Sequence, residues 1–349
     1  MRKTTLLLLS AMLLVLGSAG RPAIEPTQRH DVSAPGSAFA CTSFAVYSDE
    51  TLYGMNFDYP DVEIRFTINA AGDLRVFQME FEQEDGWSPT VGMNSAGLFA
   101  SCQMLFPEVE GTAGTSENEI LTWQVYRRAL YDFATVEDVE QHLNDRRVVH
   151  WSVTLHDLIA DPHGDAMVVE PGEAENVLTR MDGDFIVMAN FPNGDFVGQR
   201  YEDVSGVGAD RYKAAYRHIL DNLGEFGRTE ALETLERAVQ LSGGYSTLCS
   251  MVFDPARNEV LIALRRDFDR IWKVSLKDGT IETHRGSGRD WKAKLGSAGV
   301  TATKMQANTE RVPLHWGYVV GLIVLLVGVA AIVVARSRRG SPNGDSGTG

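Results

Sequence analysis

The stretch Cys41-Thr42-Ser43-Phe44-Ala45-Val46-Tyr47, followed by a turn at 48–51 and a second apolar run from Thr51 to Phe57, decides the reading of this chain. Both runs are short and rich in β-branched and aromatic residues, so they read as two strands joined by a tight turn. The residues before them, Arg21 to Ala40, hold Pro22, Pro26 and Pro35 and few large apolar side chains. The fold therefore starts abruptly, and it starts on a cysteine. A cysteine in that position can act without a distant histidine if the chain is cut just before it. The freed α-amino group has an ordinary pKa of about 7.7–8.0 and can serve as a base near neutral pH. Thiol and base then sit on one residue, an activated nucleophile. The cut can be self-made, the thiol attacking the Ala40 carbonyl and water releasing the leader from the resulting thioester. Ala38-Phe39-Ala40 also resembles a signal-peptidase site, but it lies too far beyond the N-terminal apolar run for that enzyme. The plainer reading of Cys41 is a small buried hydrophobe or a disulfide partner. With three cysteines in the chain, Cys102 and Cys249 could pair and leave Cys41 as the odd thiol.

Outward from this start, more strands are expected at Leu74 to Phe81 and in a hairpin whose turn is Asn94 to Gly97. Two helices are expected next, at 119–133 and from Thr135 to Leu143, the second with Asp138 completing a weak capping box. Strands resume at Ser152 to Ala160 and Ala166 to Glu170, then at Val177 to Arg180 and Phe185 to Ala189. Helices follow at Ala209 to Leu223 and Glu230 to Leu241. The last strands are Ser246 to Phe253, Val260 to Leu264 and Ile271 to Leu276, with a closing hairpin turn at Lys277 to Gly279. Runs of strands interrupted by paired helices predict an α+β layered fold. Residues 286–315 lack periodicity and read as a stalk. Trp87, Trp123 and Trp151 read as core, and Gly54 and Gly97 as turn or packing positions.

The two ends address a membrane. Arg2 and Lys3, an apolar run from about Leu6 to Leu16 and small residues to Gly20 describe a secretory signal peptide over 1–20. Residues 21–40 would be a propeptide. Trp316 to Ala335 carries no charge and is long enough to cross a hydrocarbon core. Arg336, Arg338 and Arg339 follow at once, which places 336–349 on the cytoplasmic side and the body outside. The expected product is a single-pass protein of the cell membrane with an extracytoplasmic domain over 41–285. The whole chain carries 32 Lys+Arg against 47 Asp+Glu, a net charge of −15, and the body without its two ends is more acidic still. No clustered basic surface is visible, so nucleic acid is not an expected partner. The eight histidines show no metal-binding spacing, and neither metal nor cofactor is expected. A homo-oligomer stays open.

Several motifs in order resemble one family. Cys41-Thr-Ser with Gly54-Met-Asn-Phe-Asp58-Tyr59 is similar to the opening of choloylglycine hydrolases and penicillin V acylases. These are related to the acid ceramidase and isopenicillin N acyltransferase groups. The likeness continues through Gly92 to Leu98, the segment from Thr135, Leu155 to Asp165, and Val168 to Glu170. It ends with Asn190-Phe191-Pro192 and Asp210-Arg211-Tyr212. It implies an N-terminal-nucleophile hydrolase with a four-layer αββα sandwich, cleaving a linear, non-peptide C–N amide bond of a small N-acyl substrate. It implies that Cys41 is the nucleophile, that Asp58 holds the α-amino group, that Asn190 donates to the oxyanion, and that Arg211 sits beside the thiol. A second oxyanion donor would be a backbone N–H in Cys102-Gln103-Met104. There are two departures. Where the family has an Asn or Tyr at the second donor, this chain has Cys102-Gln103-Met104, which alters the pocket wall that sets bile-salt or penicillin V specificity. The family often has arginine three residues before the aspartate, and here Met55 stands there, removing a fixed charge near the nucleophile.

Three alternatives accompany this reading. A papain-like enzyme would use His156 or His163 as base, but the local sequence at Cys41 lacks that signature. A non-catalytic binding ectodomain on the same fold is motivated by Met55. An amine in place of water as acyl acceptor would make the protein a transferase.

Overall fold

A computed structural model of the chain describes residues 41–108, 116–150, 153–241 and 244–309. In chain order the first strands are β1 (Thr42–Tyr47), β2 (Thr51–Asp58), β3 (Ile64–Ala71), β4 (Leu74–Gln83), β5 (Gly86–Asn94), β6 (Phe99–Met104) and β7 (Glu119–Leu121). Helices α1 (Thr122–Asp132) and α2 (Val136–Leu143) follow. Then come β8 (Arg147–Val149), β9 (Leu155–Ala160), β10 (Ala166–Glu170), β11 (Val177–Arg180) and β12 (Phe185–Met188). Helices α3 (Ala209–Asn222) and α4 (Arg228–Arg237) precede β13 (Thr247–Asp254), β14 (Glu259–Leu264), β15 (Ile271–Ser275) and β16 (Thr280–Arg285). The last elements are β17 (Lys292–Lys294), β18 (Val300–Thr301) and α5 (Ala302–Thr309).

The strands form two eight-stranded antiparallel sheets. The first runs β12-β1-β2-β13-β14-β15-β16-β17, and the second β11-β10-β9-β6-β5-β4-β3-β18. Strand alternation sorts their side chains into three apolar layers. Ala45, Tyr53, Met55, Phe77, Phe99, Leu158 and Met251 belong to the core between the sheets. Phe44, Val46, Leu52 and Val252 pack against Ile219 of α3 and Leu232 and Leu235 of α4. Ala100, Ile159 and Val169 pack against Tyr126, Ala129 and Leu130 of α1 and Val139 of α2. This is the expected αββα order. Gly54 has a packing reason: a Cβ there would lie 2.3 Å from Cζ of the Phe44 ring. The expected capping box is present at α2, where the Asp138 N–H donates to Thr135 Oγ1 and the Thr135 N–H to the Asp138 carboxylate, both at 3.1 Å.

Several expectations are corrected. Residues 286–309 are not a stalk. They supply β17, β18 and α5, and Leu295, Val300, Ala302 and Met305 complete the core between the sheets. The helix expected from Glu119 begins at Thr122, because 119–121 pair with β8 in a small parallel ladder. Strand β3, over Ile64–Ala71, is an addition to the expected strands. Trp123 is half-exposed, and Trp87 is part-buried with the Arg65 guanidinium 4.4 Å from its ring. Cys102 and Cys249 are both free. They face different layers, Cys102 toward α1 and Cys249 between the sheets, so they cannot pair. Trp151, the segments 1–20 and 21–40, the span 316–335 and the tail 336–349 lie outside the described residues. Among the described residues no helix is long and apolar enough to cross a membrane.

Candidate active site

The four singled-out residues come from distant parts of the chain and meet at one end of the first sheet. Cys41 immediately precedes β1. Asp58 closes β2 next to it. Asn190 lies just beyond β12, on the other side of β1, and Arg211 sits in the first turn of α3. All four are buried. Alternation in β1 and β2 points Thr42 and Asp58 toward α3, and Cys41 and Met55 toward the layer between the sheets.

Arg211 is the centre of the arrangement. Its Nη1 donates to the Cys41 carbonyl oxygen at 3.0 Å, Thr42 Oγ1 at 3.1 Å and Asp58 Oδ2 at 3.0 Å. Its Nη2 donates to Asn190 Oδ1 at 3.2 Å. The guanidinium folds back over the start of its own helix. Gly208, at φ 80°, makes room for that, since a Cβ there would lie 2.4 Å from Arg211 Nη2. Asp58 Oδ1 accepts from Thr247 Oγ1 at 2.5 Å. Thr247 was missed in the sequence. It lies 189 residues from Asp58, and only the β2–β13 pairing brings the two together.

Asn190 joins the two sheets. Its Oδ1 accepts the Cys41 N–H at 2.8 Å. Its Nδ2 donates to the Met104 carbonyl at 2.7 Å, and its own carbonyl accepts the Phe106 N–H at 2.8 Å. The side-chain oxygen thus faces the Cys41 nitrogen, and the Nδ2 amide points the other way. One of the two Nδ2 hydrogens is committed to Met104, which leaves the other for a ligand.

Burial dominates the electrostatics. It pushes the Cys41 thiol up to about 12, with the Asp58 charge adding to the rise, while the Asp58 backbone and Arg211 act against it. A thiol so placed stays protonated near neutral pH. Burial also lifts the Asp58 carboxyl to about 7, against the opposing pull of Arg211 and Thr247.

Met55, where the resembling family often has arginine, is fully buried opposite Ser43 and Met251. His156 is turned to Glu170, its Nδ1 3.1 Å from Glu170 Oε1. His163 lies in the β9–β10 turn, its backbone N–H on Asp161. Among the described residues no group of His, Cys, Asp and Glu could hold a metal ion.

No protein-family model matches the sequence, and no curated protein matches it. Solved structures do. A cysteine-to-alanine mutant of the conjugated bile acid hydrolase of Clostridium perfringens is 16% identical over 70% of this chain and 96% of its own, with a TM-score of 0.52. The penicillin V acylase of Agrobacterium tumefaciens is 17% identical over 70% of this chain and 90% of its own, with a TM-score of 0.53. The layered sandwich therefore has the fold of these two hydrolases, a conjugated bile acid hydrolase and a penicillin V acylase.

Proposed function

We propose that this protein is an exported, membrane-anchored amidase that splits linear C–N amide bonds of N-acyl substrates through a Cys41 thioester. The observation that carries the reading is that Asn190 and Arg211 hold the backbone nitrogen and carbonyl of the fold's first residue, with Asp58 bound to the same guanidinium. Once the chain is cut before Cys41, its nitrogen becomes a primary amine held by Asn190 Oδ1. The amine takes the thiol proton as Sγ adds to the amide carbonyl. Collapse of the tetrahedral adduct breaks the C–N bond and passes that proton to the leaving amine. Water then adds to the thioester, giving its proton to the α-amine, and the acid leaves as the C–S bond breaks and the thiol is re-protonated. The raised thiol pKa supports this concerted route over a standing thiolate. The second Asn190 hydrogen is the side-chain donor to the oxyanion, and the Arg211 charge behind the Cys41 carbonyl favours the negative charge that develops there.

The full-length chain, purified in detergent, should begin at Cys41 by N-terminal sequencing. It should hydrolyse at least one member of a panel of N-acyl amino acids, penicillin V, bile-salt conjugates, acyl homoserine lactones and ceramide-like amides. Cys41→Ala should abolish turnover, and also leader removal if the cut is self-made. A mature chain starting upstream of Cys41 that still cleaves amides would sink the reading. A second reading, a binding ectodomain that has lost catalysis, is favoured by Met55. It predicts a retained leader and no labelling of Cys41 by a thiol-reactive acyl analogue.

A further inference from the structure

The second sheet carries a buried carboxylate that the chemistry above does not use. Glu170 ends β10 and is 2% exposed. Its Oε1 accepts the Asn193 N–H at 2.8 Å and its Oε2 the Gly194 N–H at 3.0 Å. His156, opposite Gln103 on the neighbouring strand and fully buried, brings Nδ1 to 3.1 Å from the same Oε1. These bonds fix the start of a short helical turn, Asn193–Phe196, whose preceding residue, Pro192, has no side chain able to cap it. Between that turn and Asn190 lie only Phe191, fully buried, and Pro192, with its fixed φ. A shift at Asn193 therefore has little slack in which to die out before it reaches Asn190.

We propose that Glu170, backed by His156, is a positioning residue for Asn190. It ties the 190–194 segment to the second sheet, so that the Asn190 amide stays on the Cys41 nitrogen and the Met104 carbonyl. The inference rests on the reading of Asn190 as part of the active site. It adds that the nucleophile's setting in the first sheet is fixed from the second. A buried carboxylate with both oxygens on backbone N–H groups is costly to disturb, and its loss misplaces what it holds.

The test needs a control that separates positioning from stability. Asp161, in the turn at the other end of the β9–β10 hairpin, is equally buried and also takes two backbone N–H groups, from Val136 at 2.9 Å and His163 at 2.8 Å. On the best panel substrate, Glu170→Gln should lower kcat about tenfold to a hundredfold while KM moves less than about twofold. Asp161→Asn should lower the unfolding midpoint comparably and leave kcat within about twofold of wild type. In a crystal structure of Glu170→Gln, Asn190 Nδ2 should have left Met104 O. Equal kcat in the two variants, or an unmoved Asn190, would overturn the proposal. If Glu170→Gln does not fold, His156→Gln, which keeps the carboxylate, is read the same way with a smaller fall. If the wild type hydrolyses no panel member, the amidase reading fails, and the crystallographic arm alone decides whether Glu170 positions Asn190.

Discussion

Asp58 and Asp157 are both buried, one on each sheet, and they have different surroundings. Asp58, on the α3 side of the first sheet, meets a guanidinium and a threonine hydroxyl. Asp157, on the α1 side of the second, lies opposite Cys102, and among the described residues no nitrogen or hydroxyl donor bonds its oxygens. Burial raises both pKa values, but Asp58 is held to about 7, whereas Asp157 is pushed well up with only the Cys102 thiol working against it. Burial alone therefore does not mark a site. What distinguishes Asp58 is a cation brought 153 residues along the chain to meet it.

The largest test of that difference removes the cation. Arg211→Met should strip donors from Asp58, Asn190 and the Cys41 carbonyl together. Breaking one buried ion pair by deleting a partner costs about 3–5 kcal/mol. Denaturant unfolding should show a loss of that order, and turnover should fall at least about a hundredfold. An unfolding curve superimposable on wild type would break the comparison, because Asp58 would then differ from Asp157 in name only.

Asp58→Asn is the next step down. It keeps the shape and leaves Arg211 without an anion, so turnover should fall about tenfold or more while KM changes little. It also carries a pH signature. A folded-state pKa of about 7, above the ordinary 3.8, means that folding takes up a proton. The stability of the uncut chain therefore falls as pH rises between those two values and is level above them. In Asp58→Asn that part of the fall should vanish from melting curves recorded across the window. An unchanged slope would mean that Asp58 is ionised throughout.

The ease with which each part could be read from sequence follows the range of its contacts. Strand pair β1–β2, the β9–β10 hairpin and the α2 cap were legible because turn chemistry and alternation are local. The C-terminal part of the fold was not. Two of the three residues of β17 are exposed lysines, as suits an edge strand. Met305 and Val300 find their partners in strands more than two hundred residues earlier. The site was legible only in part. Cys41, Asp58, Asn190 and Arg211 came from ordered motifs that resemble a family. Glu170 lay in the motif Val168 to Glu170 with no role attached, and Thr247 in none, since each acts through strand register or a turn that leaves no pattern in the neighbouring residues.

Asp157→Asn should be the smallest change and the sharpest contrast. With no cation facing it, burial raises the Asp157 carboxyl and favours its neutral form, which a neutral amide of the same shape imitates. Turnover should be unaffected, and stability near neutral pH should stay within about 1 kcal/mol of wild type. The sign of the pH effect matches Asp58, because a raised carboxyl pKa makes folding less favourable as pH rises. The window differs, since nothing but a thiol pulls the Asp157 value back. Relative to wild type, Asp157→Asn should therefore go on gaining stability above the pH at which the gain of Asp58→Asn has levelled off. Melting curves of both variants through the alkaline range measure this directly. Two gains that level off together would show that the guanidinium has no part in setting Asp58 apart.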